Sequence, residues 1–166
     1  MKEFICDKSP RISKNKIKLE KKLDIKIKNQ GKEIEIQGKP EDEYTAEKVI
    51  EALEFGFPFS VALSIKEQDY EFEFLNIKDY TKRKDLKIIR ARIIGKNGRT
   101  LKTLGTLTRC FFELKGNKVG IIGDSEQISN AREAIISLIR GSKQANVYGY
   151  LEKHQTKPIY DFGLKE

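Results

Sequence analysis

Residues 91–100 read ARIIGKNGRT: an isoleucine pair, two glycines three apart with a cation and an amide between them, then Arg99 and Thr100. Leu101, Leu104 and Leu107 follow three apart, so RTLKTLGTLT (99–108) is one face of a helix, with Thr100 placed to hydrogen-bond near its start. The glycine loop therefore stands at the head of a helix. Such an end exposes unpaired N–H groups and positive dipole, which suit a phosphate. Glycine lets a chain approach closely because no Cβ intervenes. Lys96 adds a mobile cation and Asn97 a donor, while Ile93 and Ile94, with Leu101 or Leu104 behind, offer a floor for flat bases. A backbone clamp over an apolar floor suits single-stranded nucleic acid. The spacing is not that of a P-loop, and no G-x-G-x-x-G is present.

Working outward, residues 87–94 start as a strand and run into a short helical turn. RCFFEL (109–114) is rich in strand formers, KGNK is a hairpin turn, and VGIIGD returns as a strand. SEQISNAREAIISLIRG (125–141) is a helix with Ser125 as N-cap, an apolar stripe of Ile128, Ala131, Ile135 and Leu138, and Gly141 closing it. The order is β-α-α-β-β-α, an α+β unit with a three-stranded antiparallel sheet and helices on one face.

The same unit recurs 85 residues earlier. Gly31, Gly38 and Gly56 fall on Gly116, Gly123 and Gly141; Leu19, Ile36, Ala46, Ile50 and Leu53 fall on Leu104, Ile121, Ala131, Ile135 and Leu138. No gap is needed from about residue 10 to residue 56. The chain thus divides into domains at 1–80 and 81–166, with the charged KDYTKRKDLK (78–87) as the seam. At this offset the glycine loop falls on Pro10-Arg11-Ile12-Ser13, so the first copy keeps scaffold positions and lacks both glycines. Three readings of it stay open: a packing domain that props its neighbour, a protein-binding face on its acidic helix, or a surface touching phosphates through RISKNKIKLEKK.

Charge supports the division. The net charge is +8, made of −2 over residues 1–80 and +10 over residues 81–166. A basic half beside a near-neutral half points to a polyanionic partner for the second. Arg90, Arg92, Arg99, Lys102 and Arg109 flank the loop. Of Phe111 and Phe112, strand alternation places one in the core. No apolar run is long enough to span a membrane, and MKEFICDKSP has no signal-peptide core. One histidine and two scattered cysteines offer neither a zinc site nor a Cys/His nucleophile pair, and the carboxylates gather in the half without the loop. The expectation is a cytoplasmic protein with reduced thiols, no cofactor and no catalytic site.

The glycine loop after I-I, inside this element order, resembles the KH domain of eukaryotic-type (type I) topology, whose GxxG loop clamps about four nucleotides. A degenerate copy followed by an intact one, ending VYGYLEK, is similar to the archaeal and eukaryotic KH family of small-ribosomal-subunit assembly. The carrying stretches are IIRARIIGKNGRTLKTLGTLT, VGIIGDSEQISNAREAIISLIRGS and VYGYLEK. The resemblance implies two tandem type I KH domains, the first degenerate, in an RNA-binding assembly factor. It also implies binding to the 3′ region of small-subunit rRNA or its precursor, partnership with the Nob-type endonuclease, and contact with the alpha subunit of translation initiation factor two. The expected RNA-binding residues are Arg92, Ile93, Ile94, Gly95, Lys96, Asn97, Gly98, Arg99, Thr100, Lys102 and Arg109. The rival readings are a protein-interaction scaffold that no longer binds RNA, and a KH regulator of other RNAs.

Overall fold

The computed structural model describes residues 2–6 and 9–155. The first unit runs β1 (Lys2–Ile5), α1 (Ser9–Lys14), α2 (Lys16–Leu23), β2 (Lys26–Gln30), β3 (Glu33–Gln37), α3 (Pro40–Phe55) and α4 (Phe59–Glu67). The second runs β4 (Glu71–Asn76), a 3-10 turn at Ile77–Tyr80, α5 (Leu86–Ile94), α6 (Arg99–Thr108), β5 (Phe111–Lys115), β6 (Lys118–Gly123), α7 (Ser125–Ile139) and α8 (Gln144–Lys153). The chain is thus an α+β protein with two antiparallel three-stranded sheets, ordered β1-β3-β2 and β4-β6-β5.

The 85-residue repeat is physical as well as textual. Leu19 and Leu104, Ile36 and Ile121, Ala46 and Ala131, Ile50 and Ile135, and Leu53 and Leu138 are all fully buried. Gly38 and Gly123 share one cause. A Cβ on Gly38 would lie 3.0 Å from the Ile25 side chain, and one on Gly123 would press on Cys110, the residue 85 further along. The end of the central strand passes close over the residue that opens the neighbouring strand, and only glycine lets it.

Two expectations about the second unit need correction. Residues 87–94 are helical, not a strand: Ile89 and Ile93, four apart, are 1% and 0% exposed, so the burial period is that of a helix. The missing strand is β4, whose EFEFLN pairs with β6 from Glu71↔Gly123 to Asn76↔Lys118. The sheet therefore takes its first strand from before the charged stretch at which the sequence places the seam. A smaller correction concerns the cap of α7, which is Asp124 and not Ser125; its carboxylate accepts from the Glu126 N–H at 2.9 Å.

Each face of the second sheet has its own cover. Leu75, Val119 and Ile121 face α5–α7, in a core with Ile89, Leu104, Ile135 and Leu138. The opposite face meets the corner between α3 and α4. Ile122 joins the first unit's core, and the rings of Phe55, Phe57 and Phe72 stack edge and face at centroid distances of 5.8–5.9 Å. Offset and edge contacts of this kind add to the area buried. Gly120 lies beneath them: a Cβ there would come within 2.7 Å of Phe55 and 2.9 Å of Phe57. The two units are therefore held by one aromatic corner against one bare strand position. Gly120→Val is expected to destabilise the chain by about 1–3 kcal/mol, the usual range for overpacking a filled core. Urea unfolding measures it; an unchanged midpoint would mean that the corner does not clasp the sheet.

Candidate nucleic-acid interface

From Leu86 to Phe112 the chain contains seven basic residues and no acidic one. This stretch is α5, the glycine loop, α6 and the start of β5. Helix α6 carries no carboxylate in its first turn to neutralise the positive end of its dipole.

The loop is built by two different glycine requirements. Gly95 has φ 78° and ψ 171°, a region open essentially to glycine alone. A Cβ there would also sit 2.6 Å from both Cβ and N of Thr100. Gly98 has φ 73° and ψ 11°, left-handed, with open space where a Cβ would be. Asn97 is left-handed too (φ 56°, ψ 29°), which asparagine tolerates better than most residues. The Gly95 N–H donates to Ala91 at 2.8 Å and the Gly98 N–H to Gly95 at 3.2 Å, so the turn satisfies itself and leaves Lys96 and Asn97 exposed at its tip.

Thr100 is the floor of this turn. It is 5% exposed, and its hydroxyl accepts from the Gln144 amide at 3.2 Å. Gln144 opens α8, which is anchored by buried Val147 and Leu151 and packs on α6 and α7. Tyr148 packs on this unit's own core rather than on the first unit, and Tyr150 stacks on His154 at 4.1 Å. Residues 156–166 of the tail lie outside the described residues.

The other expected residues divide by environment. Ile93 is fully buried in the core, while Ile94 is 38% exposed and joins Ile88 as apolar surface on α5. Arg92 is engaged with backbone: its guanidinium donates to the carbonyl of Leu138, in the last turn of α7, at 3.0 Å and to that of Ser142, beyond the helix, at 2.6 Å. Arg90 donates to Asn117 Oδ1 at 2.9 Å. Lys96, Arg99, Lys102 and Arg109 are exposed, and none makes an ion pair among the described residues. Arg109 ends α6 in the left-handed region (φ 56°). Beside α6 runs β5, which is the edge strand of its sheet with no partner on its outer side among the described residues, a feature absent from the sequence expectations. Phe112 packs on the core and Phe111 is 44% exposed, as strand alternation requires. Among the described residues no group of three or more His, Cys, Asp or Glu is placed to hold a metal. Burial pushes the Cys110 thiol up to about 11, which makes it inert at neutral pH.

Arg92 also corrects the alignment of the two units. In the first unit Arg11 donates to the carbonyls of Leu53, at 2.7 Å, and Phe57. Leu53 and Phe57 lie 85 residues before Leu138 and Ser142, but Arg11 lies only 81 before Arg92. Ile12, the next residue, is fully buried like Ile93. The match shifts by four residues across the loop, so Pro10-Arg11-Ile12-Ser13 does not occupy the place of Gly95–Gly98. The first unit lacks those four residues outright, and α1 passes to α2 through Asn15 alone.

The two glycines should respond differently to replacement. Gly95→Ala is expected to cost at least about 2 kcal/mol, from a disallowed backbone region plus the clash with Thr100. Gly98→Asn should cost less than about 1 kcal/mol. Thermal melting of both variants tests this, and equal losses would contradict the geometry.

Comparison with known proteins agrees with the fold class. Residues 71–156 match the family model for the second KH domain of PNO1-type proteins, described as a eukaryotic-type KH domain (KH-domain type I). A KH domain-containing protein of Methanocaldococcus jannaschii is 30% identical over 115 residues, 69% of this chain and 51% of its own. The pre-rRNA-processing protein pno1 of Aspergillus fumigatus is 33% identical over 111 residues, 64% of this chain and 44% of its own. The chain thus spans about half the length of these curated relatives. Among solved structures, Dim2p from Pyrococcus horikoshii superposes with a TM-score of 0.82 at 28% identity, covering 92% of this chain and 99% of that one. A chain of the a/eIF2alpha–aDim2p–rRNA complex from the same organism gives 0.82 at 27% identity, covering 92% of both. The match over residues 71–156 takes in more than half of the chain, strands, loop and closing helix together, and this protein therefore belongs to the eukaryotic-type (type I) KH-domain family of PNO1 and Dim2p.

Proposed function

We propose that the chain is a non-catalytic RNA-binding factor of small-subunit ribosome assembly. It binds single-stranded small-subunit rRNA or its precursor near the 3′ end, through the GxxG loop of the second of two tandem KH domains. The observation that carries this reading is the loop itself: Gly95 lies against Thr100, and Lys96, Asn97 and Arg99 are presented at the head of a helix without carboxylates. Backbone N–H groups and these cations receive two or three phosphates, and Ile94 and the open edge of β5 lie where the bases follow.

The first domain repeats the fold without the four loop residues, and it is read as a degenerate KH domain that props the second through the aromatic corner. Two relatives support the RNA assignment, one named for pre-rRNA processing and one solved in a complex with rRNA. The complex also contains a/eIF2alpha, and on that ground the alpha subunit of translation initiation factor two is proposed as a partner of this chain. The Nob-type endonuclease is proposed from the family resemblance. The cytoplasm is the proposed site of action.

Arg92, Ile93 and Thr100 enter this scheme as supports of the loop; Lys96, Asn97, Arg99, Lys102 and Arg109 enter it as contacts. Neutralising three to five phosphates gives a log–log salt slope of about −2 to −3.5 on single strands. Replacing Lys96 and Asn97 together by Asp, with both glycines kept, is expected to weaken binding of an rRNA 3′-end oligonucleotide by at least about tenfold. Melting temperature should hold, since exposed loop changes rarely move stability by more than about half a kcal/mol. Affinity within about twofold of the parent, or equal affinity for a perfect duplex, would favour a protein-interaction scaffold instead.

A further inference from the structure

The aromatic corner between the two units closes around Phe72 but leaves Phe74 open. Phe74 is 53% exposed, although its ring lies 6.1 Å from Phe55 and 6.5 Å from Phe72. It faces a cleft of about 390 Å³ on the side of the second sheet opposite α5–α7, lined also by Phe55, Lys78, Lys115, Asn117 and Lys118. An exposed phenylalanine ringed by three lysines is an unusual surface for a chain to leave uncovered.

Its chemistry is specific. The Lys118 ammonium stands over the Phe74 ring at 5.1 Å, where the ring's quadrupole attracts it. Lys115 donates to the Glu54 carbonyl at 3.4 Å. None of Lys78, Lys115 and Lys118 is in an ion pair among the described residues. Glu54, whose carbonyl Lys115 reaches, and Glu113, two residues before Lys115, each have an interaction of their own. Asn117 gives its amide oxygen to Arg90, which leaves its amide nitrogen as a donor. A flat apolar face, three cations and an amide donor match a nucleotide: a base on the ring and phosphates on the lysines. An acidic peptide would use the cations but not the flat face.

The position suits the same strand that the loop receives. Arg90 sits on α5 four residues before Ile94, about 6 Å along the helix axis, and ties that helix to the Gly116–Asn117 turn at the rim of the cleft. We propose that the Phe74 cleft is a second RNA contact, which stacks an unpaired nucleotide beyond the four held at the GxxG loop, behind the β5–β6 hairpin. When it does so, Lys118 moves from the ring to a phosphate and the base takes its place. The proposal rests on the groove reading above and extends the RNA path around the hairpin.

The test uses the full chain with two RNA pools of randomised sequence, four and ten nucleotides long. Two variants probe the cleft: Phe74→Leu, which keeps apolar bulk and removes the flat ring, and the double variant Lys78→Glu with Lys118→Glu. Stacking on one aromatic changes affinity by about fivefold or more. Both variants are expected to weaken the ten-nucleotide pool by at least that factor and to leave the four-nucleotide pool within twofold, with melting temperatures close to the parent. Ten-nucleotide affinity within twofold of the parent in both variants overturns the proposal. Equal loss for both pools overturns it as well, because the residues would then act through the loop. If the parent fails to bind the four-nucleotide pool, the groove reading has failed, and the ten-nucleotide arm still decides the cleft by itself.

Discussion

One guanidinium holds each half of this protein in register. Arg92 leaves the last turn of α5 and binds the carbonyls of Leu138, in the last turn of α7, and Ser142, just beyond it, and Arg11 does the same for Leu53 and Phe57. Leu138 and Leu53 lie in the last turns of α7 and α3 and also accept from the N–H groups of Gly141 and Gly56, at 3.2 Å each; the planar fork of donors ties each of those turns to the carbonyl four residues further on. The consequence reaches the loop. Arg92 and buried Ile93 fix where α5 ends, and the chain must then turn within four residues into α6 over Thr100. Gly95 is the residue that allows so sharp a turn. Where the four residues are absent, after Arg11 and Ile12, the same clamp stands and no phosphate-sized turn exists.

The arrangement explains why the first half is kept beside the second. A three-stranded sheet with helices on one face leaves the other face bare. In the second unit that face carries Phe72, Phe74, Gly120 and Ile122, and the α3–α4 corner covers most of it. The first unit's own sheet carries Glu33, Glu35, Lys26 and Lys28 at the corresponding positions and needs no cover. The contact buries both sides: the corner covers the second sheet, and Ile122 and Phe72 of that sheet in turn cover Phe55 and Phe57.

Much of this was legible in the sequence, and the failures have physical causes. The hairpins, α6, α7 and the burial of matched positions follow from turn glycines and periodicity. Helix α5 was misread because LKIIRARII is rich in β-branched residues and its start has no side-chain cap to announce it. Strand β4 was missed because its alternation puts phenylalanine toward another unit and glutamate toward its own helices, where Glu73 pairs with Arg132 at 3.1 Å. The loop glycines were visible in the spacing alone. The engagement of Arg92 and the missing four residues were not, since both depend on a carbonyl 46 positions away.

The central claim is that the RNA site is the loop of the second unit and that the first unit has none. Backbone amide shifts on titration with a tetranucleotide RNA test it most directly. The account predicts changes concentrated at residues 94–102 and along the outer edge of β5, with residues 9–16 unmoved. Changes centred on α1 and α2, or none at the loop under saturating RNA, would contradict it.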